Sequence, residues 1–150
     1  MKKKIYIPVV VILPLFFSQW PVNLLMTSTV YWEARGESFI GKIAVAHVIQ
    51  NRVNDGRFGE SHAGVILKPK QFSCFNSKEG RRRMRNPLKY NNFSSWKDSF
   101  EAVRLVLEEK VEDPTDGALW YYNPDLASPS WANKLKITKK IGHHIFLKEN

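Results

Sequence analysis

Residues 31–53 read YWEARGESFIGKIAVAHVIQNRV. In its second half, Val45, Val48, Ile49 and Val53 fall at i, i+3, i+4 and i+8, one apolar stripe that predicts an amphipathic helix over 40–53. Upstream, Thr27 to Glu37 opens with Thr and Ser cap candidates and predicts a short helix ending near Gly36. Glu33 and Glu37 lie four residues apart, so on a helix they share a face with Cβ atoms about 5–6 Å apart. An acid packed against Tyr31 or Trp32 loses solvation of its anion, and a carboxylic acid that keeps its proton can donate it to a glycosidic oxygen. Acidic pairs also decorate solvated faces beside a cation such as Arg35. Spacing alone leaves both readings open.

Downstream, 54–64 is turn-rich, and Val65-Ile66-Leu67 is a short apolar run stopped by Pro69. Residues 76–93 are polar and basic, with a loop-like basic patch at Arg81–Arg85. A third helix is expected to open with Ser95 and Asp98 as a capping pair. Its buried face would be Trp96, Phe100, Val103 and Leu107, and its stop Asp113-Pro114. Ala118–Tyr122 and Lys136–Ile145 read as short strands or extended arms. The expected class is α+β, predominantly α, in one domain.

The 150 residues are 43% hydrophobic and 13% aromatic, which supports a packed core and excludes wholesale disorder. The net charge of +9 predicts a polyanionic partner or surface. Lys2, Lys3 and Lys4 precede 22 uncharged residues, 5–26, the pattern of an export signal or signal-anchor that meets a membrane. Pro8, Pro14 and Pro21 weaken a continuous span. The expected division is therefore a signal or signal-anchor segment over 1–26 and one compact domain over 27–150. The single cysteine, Cys74, excludes an internal disulfide and a cysteine metal cage. With four histidines, no H-E-x-x-H and no glycine-rich phosphate loop, neither a metal nor a cofactor is expected.

Sugar rings stack on flat aromatic faces, and Trp120, Tyr121, Tyr122, Trp131 and Phe72 offer such faces. Gln71, Asn123 and Asn133 could hydrogen-bond hydroxyl and N-acetyl groups. His143-His144 reads as a structural or hydrogen-bonding pair.

The opening motif YWEARGESFIGKIAVAHVIQNRV resembles that of the SleB-type cell wall hydrolases. Three more blocks match in order: VILKPKQFSCFN, DPTDGALWYYNP and ITKKIGHHIF, so that the likeness covers roughly residues 29–147. The resemblance implies a lysozyme-like fold of the goose-type lysozyme and lytic transglycosylase kind, acting on the glycan strands of peptidoglycan. It implies one essential glutamate, Glu33. The expected substrate site includes Tyr31, Gln71, Phe72, Trp120, Tyr121, Tyr122 and His144. The implied reaction cleaves between N-acetylmuramic acid and N-acetylglucosamine with capture by the muramic 6-hydroxyl. Lysozyme-like hydrolysis with Glu37 as auxiliary carboxylate is the alternative. Two departures stand out: Lys70 replaces a more usual glycine, and Trp32 a more usual small residue. A small basic domain behind an export signal also resembles bacteriophage lysis enzymes.

Six cations against Glu79 in the insert 78–89, with Arg81, Arg82, Arg83 and Arg85 at its centre, would bind anionic cell-wall polymers. A nucleic-acid- or wall-binding module without catalysis is the rival class. No specific nucleic-acid partner is expected, because neither a stacking platform nor a helix-turn-helix accompanies the patch. The expected location is the periplasm or cell wall, with the protein tethered to the membrane or released.

Overall fold

Helix α2 (Phe39–Asp55) is the axis of the fold. The expected stripe is buried: Val45, Val48 and Ile49 are fully covered, and Val53 packs on the core from its edge. Burial runs all round the helix from Gly41 to Ile49, as befits a helix enclosed by its neighbours. Lys42 is among the buried residues, and its Nζ donates to the Glu37 carbonyl at 2.7 Å. Gly56 ends the helix at φ 79°, the left-handed conformation that glycine adopts without a Cβ clash.

The computed structural model describes residues 13–85 and 92–150. The three lysines and Pro8 lie outside the described residues, as do the insert beyond Arg85 and the Arg85 side chain. Helix α1 spans Leu13–Ala34 without a break. The expected boundary at 26/27 thus falls inside a helix. Thr27, Ser28 and Thr29 are buried mid-helix rather than capping it, and Met26 and Val30 are fully buried core residues. Thr29 Oγ1 satisfies itself on the Leu25 carbonyl at 2.8 Å. No described helix is long and apolar enough to cross a membrane.

The run Val65–Leu67 belongs to a short helix, α3 (His62–Leu67), whose N-cap Ser61 accepts from the Gly64 N–H. A 3-10 turn at Ser73–Phe75 follows. The basic patch is helical, not a loop: α4 (Lys78–Arg85) is held partly by Glu79, which pairs with Arg82 and Arg83 one turn on.

Helix α5 (Phe93–Leu107) packs on α1 and α2. Its cap is Asn92, whose side chain accepts from the Ser95 N–H. Ser95 lies in the first turn and uses its hydroxyl to donate to the Arg35 carbonyl instead. The buried face is Trp96, Ser99, Ala102, Val103 and Val106, whereas Phe100 is 37% exposed. Ser99, three residues after Trp96, takes the inward position expected of Phe100, and its hydroxyl is satisfied on the Ser95 carbonyl. The helix stops at Leu107, before Asp113-Pro114, and the chain turns through Glu109 at φ 54°. Asp113 organises the next turn, accepting from Asn51 Nδ2, from the Thr115 N–H and hydroxyl, and from the Gly117 N–H.

That turn delivers β1 (Trp120–Tyr122) to an antiparallel sheet ordered β1-β3-β2 with β2 (Lys136–Ile141) and β3 (His144–Lys148). The expected single extended piece over Lys136–Ile145 is a hairpin, broken where Gly142 takes φ 57°. Phe146 and Leu147 on the central strand are buried, and Tyr121 pairs with Phe146 across the ladder. The class is α+β with α dominant.

Phe146 joins the sheet to the helical core, so Phe146→Ala removes a filled volume there. The expected loss is about 3–5 kcal/mol of stability in urea denaturation; a loss under about 1 kcal/mol would show that the sheet does not depend on this contact.

Candidate active site

Glu33 is the penultimate residue of α1, and three donors from two other elements converge on its carboxylate. Ser73 Oγ donates to Oε1 at 2.8 Å, and the Cys74 N–H to the same oxygen at 3.3 Å. Tyr121 on β1 donates its hydroxyl to Oε2 at 3.1 Å. Burial pushes the Tyr121 phenol well above its ordinary value, and the charge of Glu33 adds to this, so the hydroxyl keeps its proton and acts as donor. The same two causes push the Cys74 thiol up, which leaves it a poor nucleophile.

The carboxylate borders an open groove of about 400 Å³, lined also by Trp32, Arg35, Glu37, Asn123, Leu126 and the two adjacent histidines. Arg35 and Arg83 each place a guanidinium against the Trp32 ring, 5.2 and 5.4 Å from its centroid.

Glu37 does not share a helical face with Glu33, because α1 ends at Ala34. Its carboxylate is nearly buried and accepts from the His143 backbone N–H at 3.2 Å and lies 2.9 Å from His143 Nδ1. It thereby ties the α1–α2 corner to the β2–β3 hairpin. Gly142 permits this approach: a Cβ there would collide with Glu37 Oε2.

The other expected site residues divide by burial. Tyr31 is 3% exposed, packs on Trp32 and Trp96, and accepts from the Asn92 N–H. Phe72 is 2% exposed and lies against Arg52. Both rings face the interior and offer no stacking surface. Gln71, Trp120 and Tyr121 line a second cavity with Arg52, while Tyr122 meets Trp131 edge-on at 6.0 Å. His144 is buried under the groove, edge-on to Tyr121 at 5.0 Å. Asn123 lines the groove, whereas Asn133 is exposed on a 3-10 turn. Among the described residues no cluster of His, Cys, Asp and Glu could hold a metal.

Two groups at the site escaped sequence reasoning. Ser73 and the Cys74 N–H sit in the block QFSCFN, but a hydroxyl and a backbone donor leave no periodic signal.

A family model described as Cell Wall Hydrolase matches residues 36–147. The chain belongs to the cell wall hydrolase family. The match opens three residues after Glu33 and includes Glu37, Ser73, Cys74, Tyr121 and both adjacent histidines. The chain is 34% identical over 137 residues to the spore cortex-lytic enzyme of Oceanobacillus iheyensis, covering 90% of this chain and 44% of that one. To the spore cortex-lytic enzyme of Bacillus subtilis it is 35% identical over 124 residues, covering 81% and 36%. It thus spans under half the length of these relatives. Among solved structures, the catalytic domain of Bacillus cereus SleB superposes with a TM-score of 0.63 at 35% identity, covering 86% of this chain and 91% of that one. The catalytic domain of the germination-specific lytic transglycosylase SleB from Bacillus anthracis gives 0.62 at 35% identity, covering 85% and 93%.

His47 and His144 are buried, and burial first of all holds each below the ordinary value of 6.5. For His144 the nearby Glu37 and Glu33 charges oppose that shift. Both rings therefore take up a proton less readily in the folded chain than in the unfolded one, which begins to bind their protons near pH 6.5. Stability is full above that value and falls as the pH drops through it. Urea midpoints measured at about pH 7.5 and about pH 5.5 should show the lower midpoint at the acidic pH; an equal or higher one contradicts this.

Proposed function

We propose that this chain cleaves the glycan strand of peptidoglycan between N-acetylmuramic acid and N-acetylglucosamine, with Glu33 as general acid and then base. The observation that carries the reading is the convergence of Ser73, the Cys74 N–H and Tyr121 on one carboxylate beside an open groove. Family membership and the names of the relatives support the substrate class. The likeness to SleB catalytic domains also supports the lysozyme-like reading of the fold.

The chemistry follows from having one carboxylate to spare. Glu33 gives its proton to the leaving oxygen as the bond from that oxygen to the muramic C1 breaks. A two-carboxylate mechanism needs a second acid free to act as nucleophile or to activate water. Glu37, the nearest candidate by sequence, has both oxygens occupied by His143. The muramic 6-hydroxyl then attacks C1 and returns its proton to Glu33, which closes a 1,6-anhydro ring without consuming water. Asn123 at the groove and Gln71, Trp120, Tyr122 and His144 nearby would position the strand. The charge-free stretch 5–26 behind three lysines supports export to the wall. Membrane insertion up to Met26 would strip the fully buried Met26 from the core, so the working enzyme is better served by release.

Glu33→Gln keeps the shape of the side chain and removes its proton. Digestion of purified peptidoglycan should fall on the order of 10²–10⁴-fold with the thermal midpoint little changed. Mass analysis of wild-type products should find ends lighter by one water than reducing ends. Native activity in a folded Glu33→Gln protein refutes the acid, and reducing ends alone refute the ring closure.

Arg81 and Arg82 are exposed on α4, and Arg83 is half-buried against Trp32. Neutralising them together with Arg85 should weaken adsorption to walls and flatten its salt dependence, since exposed charges are screened over about 10 Å at 0.1 M salt. Turnover of short soluble glycans should change less than adsorption does. The opposite ranking would place α4 in the chemistry rather than in wall binding.

A further inference from the structure

The Glu33 site shares Tyr121 with a second cavity of about 260 Å³, lined by Arg52, Phe58, Lys70, Gln71, Trp120 and Trp131. Its lining contains two cations and no acid. Arg52 is 5% exposed; its Nε donates to the Leu119 carbonyl at 2.7 Å, and the rings of Phe58 and Phe72 lie about its guanidinium at 5.1 and 5.2 Å. Its Nη1 is buried without a hydrogen-bond partner. A desolvated guanidinium is costly unless an anion and further hydrogen bonds compensate it. Glu33, whose charge acts on Arg52 from a distance, is already held by Ser73, Cys74 and Tyr121. Lys70 lines the same cavity at φ 65°, a backbone conformation that favours glycine, so strain is accepted at the one position that adds a second cation.

We propose that this cavity is a carboxylate-binding subsite that takes an acidic group carried by the muramic residue of the strand. The inference rests on the peptidoglycan reading above and adds which substituent is recognised. Arg52, held at Nε by the Leu119 carbonyl, sets a fixed positive charge in the cavity wall that attracts a carboxylate, and Lys70 adds a second. Two sources share this chemistry: the lactyl carboxylate of a bare muramic residue, and a carboxylate on its attached peptide.

NMR titration of the full chain with monomeric probes separates them, since these probes contain no bond for Glu33 to cleave. The probes are N-acetylmuramic acid, its methyl ester, muramyl dipeptide (lactyl carboxyl amidated, peptide carboxylate free) and N-acetylglucosamine. At least one of the two acids should bind on the order of tenfold more tightly than the ester and N-acetylglucosamine, and the tighter acid identifies the source. Arg52→Gln should erase that preference. Lys70→Gly relieves backbone strain and so remains folded where Arg52→Gln does not; it should reduce the preference about threefold. Neither acid binding better than the uncharged probes overturns the subsite, and so does an undiminished preference in Lys70→Gly. Peptidoglycan digestion by Glu33→Gln, run alongside, keeps the two claims apart. An inactive variant with acid and ester bound alike defeats the subsite alone, whereas an active one with the acid preference intact defeats only the catalytic reading.

Discussion

The structure turns on how one carboxylate is held at the wrong end of a helix. Glu33 sits one residue before the end of α1, at the pole of the helix that offers carbonyls rather than N–H donors. Donors must therefore come from elsewhere, and they come from parts of the chain 40 and 88 residues away, Ser73 and Tyr121. The order of the fold follows from that demand. Helix α1 is buried through Met26 and Val30 so that its end is fixed, the turn at Ser73–Phe75 crosses above it, and the sheet brings Tyr121 against it. Burial of Tyr121 among His144 and Phe146 keeps its proton in place and its direction set.

The second carboxylate shows how chain geometry separates two similar residues into different tasks. Past Ala34 the chain leaves the helix, so Glu37 points to the hairpin and is consumed by His143. Lys42 fixes the same residue through its carbonyl, and Gly142 leaves room for it. Glu37 thus holds the groove's far wall, formed by the hairpin turn, against the corner that carries Glu33. A groove whose walls are tied at the backbone can present substrate at a constant distance from the acid, as catalysis by positioning requires.

Much of this was legible in the chain. The apolar stripe of α2 placed the central helix, and Glu33 and Tyr121, two of the residues that meet at the site, stood out in the chain. What escaped has particular causes. The helical spacing of Glu33 and Glu37 misled because the end of α1 comes earlier than Gly36 suggests. Phe100 outranks Ser99 on any hydrophobicity scale, yet Ser99 can bury its hydroxyl on a helical carbonyl and so occupies the interior. Continuous β-forming character over Lys136–Ile145 hid the hairpin, although Gly142 was a readable turn signal. The aromatic residues looked alike in sequence; only packing separates Tyr31 and Phe72, which are core, from Trp120 and Trp131, which line a cavity. Arg52 read as one polar position on a helix, and its burial between two phenyl rings depends on contacts with distant segments.

The central claim is that Tyr121 acts through Glu33 and not as an independent contact. The most direct measurement is the peptidoglycan cleavage rate of Tyr121→Phe in two backgrounds, native and Glu33→Gln. A hydrogen bond to a charged group contributes about 1.5–3 kcal/mol, so the native background should lose roughly tenfold or more. In Glu33→Gln the same change should cost almost nothing, because the group it serves is gone. An equal fold-loss in both backgrounds would contradict the account.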